Sequence, residues 1–288
     1  MDQRIVDLYD QYVHVHFDRR LFLDRAAKLL GSTTAAAAAL PLLQSNYARA
    51  EVVPENDPAI TVERITFPGA SGAVKGYLAT PKAGPARRAG IVVVHQNRGL
   101  NAHIEDVARR LAKEGYTAIG VDFLSQRGGT PPDEQAAMQL FQGLDMMKRD
   151  GDAVAAANYL RGRADSNGKV GAVGFCWGGG AVNQLAVNDA MLNAAVPYYG
   201  APPTAEQVAR IRAPMLLNYA DPMLDTNLGM RLPAFEEALK ANNKSYTLYT
   251  YPGAQHAFND DTNQERYNKA AADLAWSRTL AFFRQNLS

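Results

Sequence analysis

One cysteine lies in a run of glycines that is typical of a tight turn between a strand and a helix. Cys176, the single cysteine of the 288 residues, stands within Gly174-Phe175-Cys176-Trp177-Gly178-Gly179-Gly180. The apolar residues 169–173 predict a buried strand before it, and residues 181–187 predict a helix after it. Glycines allow the strained backbone that presents a nucleophile at such a turn. We therefore predict that the Cys176 thiol attacks a carbonyl carbon, although a lone buried cysteine is often chemically inert.

A histidine and an aspartate follow Cys176 in the chain order that a catalytic triad of this kind uses. Of the five histidines, only His256 comes after the last predicted strand, behind a Pro-Gly turn. The acid is expected after the strand at 214–219, where Asp221 and Asp225 are both candidates. Asp221 precedes a proline and is also typical of a turn, so the sequence favours Asp225 only slightly.

The helix after the cysteine supplies two further parts of the predicted site. Its backbone N–H groups point at the sulfur and favour the thiolate, while His256 accepts the proton. We predict that the backbone N–H groups of Trp177 and Asn97 form an oxyanion hole. The glycines at 178–180 lack the spacing of a dinucleotide fingerprint, and no metal-ligand motif is present, so no cofactor and no metal are predicted.

Strand and helix patterns alternate along most of the chain. The predicted strands are 61–67, 73–79, 90–94, 117–121, 169–174, 194–199, 214–219 and 245–251. The predicted helices are 104–111, 133–162 with a break near 150–151, 181–187, 205–211, 232–241 and 264–283. This alternation predicts a mostly parallel, doubly wound α/β sheet with helices on both faces and an N-terminal antiparallel hairpin. Ligands bind at the carboxyl ends of such strands, where all three triad candidates fall.

Composition narrows the classes of function. The net charge is +1 and 47% of the residues are hydrophobic, so neither nucleic acid nor membrane insertion is indicated. One cysteine excludes an intramolecular disulfide, and it leaves a redox sensor without a resolving thiol. The pair Arg109-Arg110 is predicted to lie on a solvated helix face.

The N-terminal segment has two interpretations. Residues 19–20 are a twin arginine, 29–43 are weakly apolar, and 48–50 fit a small-x-small cleavage site. These features predict periplasmic export of a domain at 51–288, with residues 1–50 as the signal. The alternative is a cytoplasmic chain with an N-terminal helix, because apolar residues recur at helical spacing: Ile5, Leu8, Tyr12 and Val15.

Two motifs resemble those of the dienelactone hydrolases, or carboxymethylenebutenolidases. They are Gly174-Phe175-Cys176-Trp177-Gly178-Gly179 and Pro252-Gly253-Ala254-Gln255-His256-Ala257-Phe258, and the resemblance extends over about residues 60–286. It implies a single-domain α/β-hydrolase fold and a Cys-His-Asp triad that cleaves esters or lactones through an acyl-thioester. The family's Asp-Thr and following helix resemble Asp225-Thr226 and the helix from Leu232, which favours Asp225 as the acid.

The chain departs from the family pattern at two places. Gln96 stands where the family has a glutamate that helps to deprotonate the thiol, and an amide cannot act as a base. Arg127 matches one of the family's two carboxylate-binding arginines, but the other place holds Asn259-Asp260. Dienelactone itself is therefore not the expected substrate. We predict that Gln96 and Arg127 contact the substrate and that Phe123 and Tyr198 line an apolar pocket.

Together these patterns predict a hydrolase of small carboxylic esters or lactones, in class EC 3.1.1, that needs only its small-molecule substrate. The sequence leaves the oligomeric state, monomer or dimer, open. The alternative function is a catalytically silent α/β-hydrolase scaffold that binds a ligand or partner, for which Gln96 is the main support.

Overall fold

The computed structural model describes residues 4–5, 8–9, 11–12, 18–43 and 51–288. The strands are β1 (Ile60–Gly69), β2 (Gly72–Pro81), β3 (Arg88–Val94), β4 (Thr117–Asp122), β5 (Ser166–Phe175), β6 (Ala194–Tyr198), β7 (Met215–Ala220) and β8 (Tyr246–Tyr251). The helices are α1 (Arg19–Leu30), α2 (Thr33–Leu43), α3 (Ala102–Lys113), α4 (Glu134–Phe141), α5 (Met146–Arg161), α6 (Trp177–Asn188), α7 (Ala205–Val208), α8 (Thr226–Gly229), α9 (Leu232–Ala241) and α10 (Lys269–Leu287). A 3-10 helix spans Phe123–Arg127.

The eight strands form one sheet in the order β1-β2-β4-β3-β5-β6-β7-β8. β1 pairs with β2, and β2 with β4, in antiparallel fashion, whereas every other neighbouring pair is parallel. The central strand β3 is buried along nearly its whole length, as its run of β-branched residues predicts. The predicted mostly parallel sheet with helices around it and an N-terminal hairpin is confirmed.

The helical region before β5 differs from the prediction. The expected break near 150–151 is wrong, because α5 runs without interruption through Gly151. The break lies at 142–145 instead, where the side chain of Asp145 accepts hydrogen bonds from the N–H groups of Met147 and Lys148 and so begins α5. The predicted helix at 205–211 is also shorter, since α7 ends at Val208.

The prediction of a solvated Arg109-Arg110 pair is wrong as well. Arg109 is only 4% exposed, and its guanidinium donates to the Val53 carbonyl at 2.5 Å and to the Tyr77 hydroxyl at 3.0 Å. Arg110 lies 2.5 Å from Asp106 in an ion pair along the same helix. Arg109 therefore fastens the chain before β1 to α3, and Arg110 also pairs with Asp261 in the loop after β8 at 2.6 Å.

The described N-terminal residues form a second apolar cluster with part of the α/β domain. Its members are Ile5, Leu8, Tyr9, Tyr12, Phe22, Ala26, Ala36, Ala39, Leu40 and Met138. Three of the residues that recur at helical spacing are therefore buried, while residue 15 lies outside the described residues. Because Met138 belongs to α4, this cluster joins the N-terminal segment to the helix that precedes α5. Within the described residues, no helix combines the length and apolarity needed to cross a membrane.

Candidate active site

Cys176 occupies the turn between β5 and α6, on a backbone that side chains rarely adopt. Its φ is 56° and its ψ is −117°, and the residue is 7% exposed. A β-carbon at Gly174 would lie 2.3 Å from the Gly178 carbonyl oxygen, and one at Gly178 would lie 2.4 Å from the His95 carbonyl oxygen. The glycines on both sides of the cysteine are thus required by close backbone packing, and the strained turn points to a function for the thiol.

The strand order places this turn at the centre of the sheet. β5 lies between β3 and β6, and Val94 at the end of β3 pairs with Gly174. The loop that follows Val94 therefore lies beside the cysteine turn. In the buried His95 ring, Nδ1 lies 2.6 Å from the Gln96 carbonyl oxygen, and Nε2 accepts a hydrogen bond from the Phe123 N–H. Burial lowers the pKa of His95, so a neutral imidazole holds this loop.

His256 and Asp225 form the second half of the arrangement. β7 and β8 end at the paired residues Ala220 and Tyr251, and each of the two side chains follows five residues later. The Nδ1 of His256 lies 2.7 Å from the Asp225 carboxylate. Asp221 instead accepts hydrogen bonds from the N–H groups of Met223 and Gly253, as a turn residue does. The geometry thus favours Asp225 over Asp221 as the partner of the imidazole.

The electrostatic surroundings favour a charged His256. Burial alone would lower its pKa, but the nearby Cys176 sulfur, hydrogen bonds with Asp225 and Cys176, and the charge of Asp225 together raise the pKa well above its usual value. The Tyr199 ring, whose residue has a φ of 37°, lies 5.0 Å from the imidazole between ring centres. An imidazolium next to a thiolate is the arrangement that activates a cysteine nucleophile.

A small cavity opens beside the thiol. Its lining includes both Cys176 and His256, with the remaining residues Gln96, Asn97, Arg98, Ala257, Asp260, Asn263 and Arg266. The Gln96 amide donates to the Asp260 carboxylate at 3.2 Å, and Arg98 lies 3.8 Å from the same carboxylate. Because these groups compensate its charge, Asp260 argues less strongly against an anionic substrate than its sequence position suggested.

The predicted site residues divide into two groups. Cys176, His256, Gln96 and Asn97 share the cavity, and Trp177 begins α6 directly after the cysteine. The other three predicted substrate contacts do not line it. Arg127 is exposed, and its guanidinium donates to the Gly143 carbonyl. The Phe123 ring is buried, with its centre 5.7 Å from the centre of the Trp177 ring. The Tyr198 hydroxyl forms a hydrogen bond with the Thr279 hydroxyl at 2.7 Å. Their positions do not support the prediction that they bind substrate.

Two arginines of the cavity were not predicted. Arg98 follows the oxyanion loop, and Arg266 lies ten residues after His256 without any motif to mark it. The sequence could have indicated Arg98 in one way only, because it directly follows Asn97, the residue predicted to stabilise the oxyanion. Arg266 could not be found this way, because only the path of the loop after β8 brings it to the cavity.

One group in the described part of the chain has metal-ligating atoms within 4.8 Å of one another: His103, Asp260 and Asp261. Asp261 forms an ion pair with Arg110 at 2.6 Å and lies 2.9 Å from the Nδ1 of His103. Burial lowers the pKa of His103, but the two carboxylates outweigh it and raise the pKa. The Arg110 guanidinium at this place opposes the binding of a cation.

A strained strand-to-helix turn at the centre of this sheet, with an aspartate-bound histidine at the same edge, is the arrangement of the α/β-hydrolase class. Solved structures agree: the crystal structure of a "Putative Dienelactone Hydrolase" from Klebsiella pneumoniae is similar with a TM-score of 0.69 and 28% identity, covering 79% of this chain and 99% of that one. The family model described as "Dienelactone hydrolase family" matches residues 74–287, and the chain belongs to that family. A second family model, described as "YqhI-like", matches residues 1–28.

Relatives of known sequence agree with this membership. A "Putative carboxymethylenebutenolidase" from Salmonella typhi is 32% identical over 244 residues, which cover 80% of this chain and 89% of that protein. One of the same name from Saccharolobus solfataricus is 31% identical over 268 residues, covering 78% of this chain and 99% of that protein. The resemblance stated from the two motifs is confirmed, and the chain is a hydrolase that acts on esters or lactones.

Proposed function

We propose that the chain hydrolyses small carboxylic esters or lactones through a Cys176-His256-Asp225 triad and an acyl-thioester intermediate. The main support is the 2.7 Å contact between His256 Nδ1 and Asp225, in a cavity that His256 shares with Cys176. The raised pKa of His256 adds to it, since this shift stabilises the imidazolium that a thiolate needs as its partner.

The reaction proceeds in two halves. In the first, the Cys176 thiolate adds to the carbonyl carbon, and the backbone N–H groups of Trp177 and Asn97 stabilise the oxyanion. Collapse of this intermediate breaks the ester C–O bond, and the alcohol leaves with the imidazolium proton of His256. In the second half, the neutral imidazole takes a proton from water, the resulting hydroxide attacks the thioester carbonyl, and the acid leaves with regeneration of the thiolate. Asp225 accepts from the Nδ1–H throughout and fixes the tautomer.

A single substitution tests the nucleophile. Cys176→Ala is expected to abolish the hydrolysis of p-nitrophenyl acetate, because no other residue of the triad can form the acyl intermediate. Circular dichroism checks that the variant keeps its fold. Turnover equal to that of the unchanged chain would refute the mechanism.

A labelling experiment separates the enzyme from the silent scaffold. With an activated thiolate, iodoacetamide labels Cys176 rapidly at mildly acidic pH, and a panel of esters and lactones identifies substrates. Labelling that follows a thiol pKa near the free value of about 8.5, with no hydrolysis of any panel member, would support the binding scaffold instead.

We also propose export to the periplasm through the twin-arginine signal. Arg19 and Arg20 are exposed at the start of α1, where a receptor can bind them. The expected cleavage site at 48–50 lies outside the described residues. Fractionation of cells that express a variant with lysine at both positions tests the proposal, and retention of that variant in the cytoplasm is the expected result.

A further inference from the structure

Tyr9 of the N-terminal segment contacts both cavity arginines. Its hydroxyl accepts a hydrogen bond from Arg98 at 3.2 Å, and the Arg266 guanidinium lies 5.6 Å from its ring centre, within the range of a cation–π contact. Tyr9 is 2% exposed, and each arginine is 6% exposed. The segment thus covers the two side chains that line the cavity next to Cys176.

Other contacts hold the segment to the hydrolase domain. The Gln135 amide in α4 donates to the Tyr12 hydroxyl at 3.1 Å, and Met138 of the same helix belongs to the apolar cluster of the segment. Arg98 extends this link, because its Nε lies 3.6 Å from Glu134 at the start of α4. Tyr9 is therefore fixed between α4 and the loop that carries Arg266.

The cavity beneath these contacts is too small for a substrate. Its volume is about 10 Å³, at the lower limit for a single water molecule of about 10–15 Å³. Sites for small molecules usually measure about 300–1,000 Å³. An ester can reach Cys176 only when part of the lining moves. The two arginines beneath Tyr9 have long side chains that can change position, and contact with Tyr9 restrains both of them, in addition to the carboxylates of Glu134 and Asp260 that face Arg98.

We propose that Tyr9, together with the described residues beside it, forms a lid on the active site and that Tyr9 is the specificity-determining residue of this lid. Contact of Tyr9 with Arg98 and Arg266 keeps the cavity closed, so the ease with which an ester reaches Cys176 falls as its acyl or alcohol group becomes larger. The substrate class in this inference rests on the proposed function, whereas the closure of the cavity rests only on the contacts of Tyr9. Cleavage after Ala50 would remove Tyr9 and yield a more accessible site.

Alkylation of Cys176 measures this closure without requiring catalysis, because the chain has no other cysteine. The full chain is labelled with iodoacetamide, N-ethylmaleimide and fluorescein maleimide, which increase in size. Loss of one hydrogen bond and one cation–π contact of ordinary strength shifts an equilibrium about tenfold. We expect Tyr9→Ala to accelerate labelling by fluorescein maleimide about tenfold and labelling by iodoacetamide distinctly less, with Tyr9→Phe between Tyr9→Ala and the unchanged chain.

Matched variants complete the experiment. Gln11→Ala changes an exposed residue of the same segment and is expected to leave all three rates unchanged. Gln135→Ala removes the contact to Tyr12 and is expected to give a smaller acceleration in the same size order, which keeps the test decisive if Tyr9→Ala does not fold.

Two results would overturn the lid. One is no acceleration in either Tyr9→Ala or Gln135→Ala, and the other is an equal acceleration for all three reagents, since a change in thiol chemistry does not depend on reagent size. Size-dependent acceleration in a chain that hydrolyses no ester would retain the lid and refute only the proposed function.

Discussion

The pairing of Asp225 with His256 leads to a sharp prediction about the pH dependence of activity. Replacing the carboxylate by an amide in Asp225→Asn keeps an acceptor for the Nδ1–H but removes the charge. A hydrogen bond to a charged group contributes about 1.5–3 kcal/mol and a neutral one about 0.5–1.5 kcal/mol. The difference of about 1–1.5 kcal/mol corresponds to roughly a tenfold change in an equilibrium or rate constant. We therefore expect kcat/KM to fall about tenfold near neutral pH.

The sign of the pH shift follows from the same contact. Asp225 is one of the groups that raise the pKa of His256, so in the proposed mechanism the thiolate–imidazolium pair persists to a higher pH when the carboxylate is present. In Asp225→Asn the imidazolium loses its proton at a lower pH, and the alkaline limb of the kcat/KM profile is expected to move to lower pH. The limb belongs to the coupled pair with Cys176 and not to one residue.

The assay is the pH–rate profile of p-nitrophenyl ester hydrolysis, and Asp221→Asn is the matched control in the same loop. Asp221 bonds only to backbone N–H groups among its described contacts, so its variant should keep the position of the limb and kcat/KM within about twofold. An alkaline limb that stays in place or moves higher in Asp225→Asn would refute the reasoning. So would an equal loss in both variants.

Two further substitutions test the framework around the site. Gly178→Ala would place a β-carbon 2.4 Å from the carbonyl oxygens of Val94 and His95. We expect a lower melting temperature and a lower kcat, because the clash displaces the loop after β3 that carries Asn97. An unchanged kcat would contradict this expectation. Arg109→Ala removes buried hydrogen bonds to the Val53 carbonyl and the Tyr77 hydroxyl. We expect it to lower the free energy of unfolding, measured in urea, by about 3 kcal/mol. Lys113→Ala changes an exposed residue of the same helix and should leave this free energy nearly unchanged.

The sequence predicted most of the fold because local patterns carry it. Runs of β-branched residues mark strands that are buried on both faces, and the turn around Cys176 is defined by neighbouring glycines. The order of strands then brings His256 to the same edge of the sheet. Choosing Asp225 over Asp221 needed the resemblance, and the geometry supports that choice through a single short contact to the imidazole.

Features that depend on distant parts of the chain were missed. Arg109 has the sequence pattern of a solvated helix residue, and only the return of β2 and of the chain before β1 surrounds it. Arg127 was favoured by its place after β4, but the 3-10 helix directs it to the Gly143 carbonyl. No sequence motif indicates that Tyr9 lies at the site. Its contacts with Arg98 and Arg266 join residues that are far apart in sequence, so local patterns could not predict them.

The carboxylate that the family places beside its thiol has a counterpart here on a different loop. Gln96 cannot take a proton, yet its amide donates to Asp260, which lines the same cavity as Cys176. That carboxylate is engaged by the Gln96 amide and faced by Arg98 at 3.8 Å, so it holds the loop beside the cavity. In the proposed mechanism, activation of Cys176 comes from His256 and from the N-terminus of α6. A thiol activated this way needs no separate base next to it, so the proposed mechanism is compatible with glutamine at position 96.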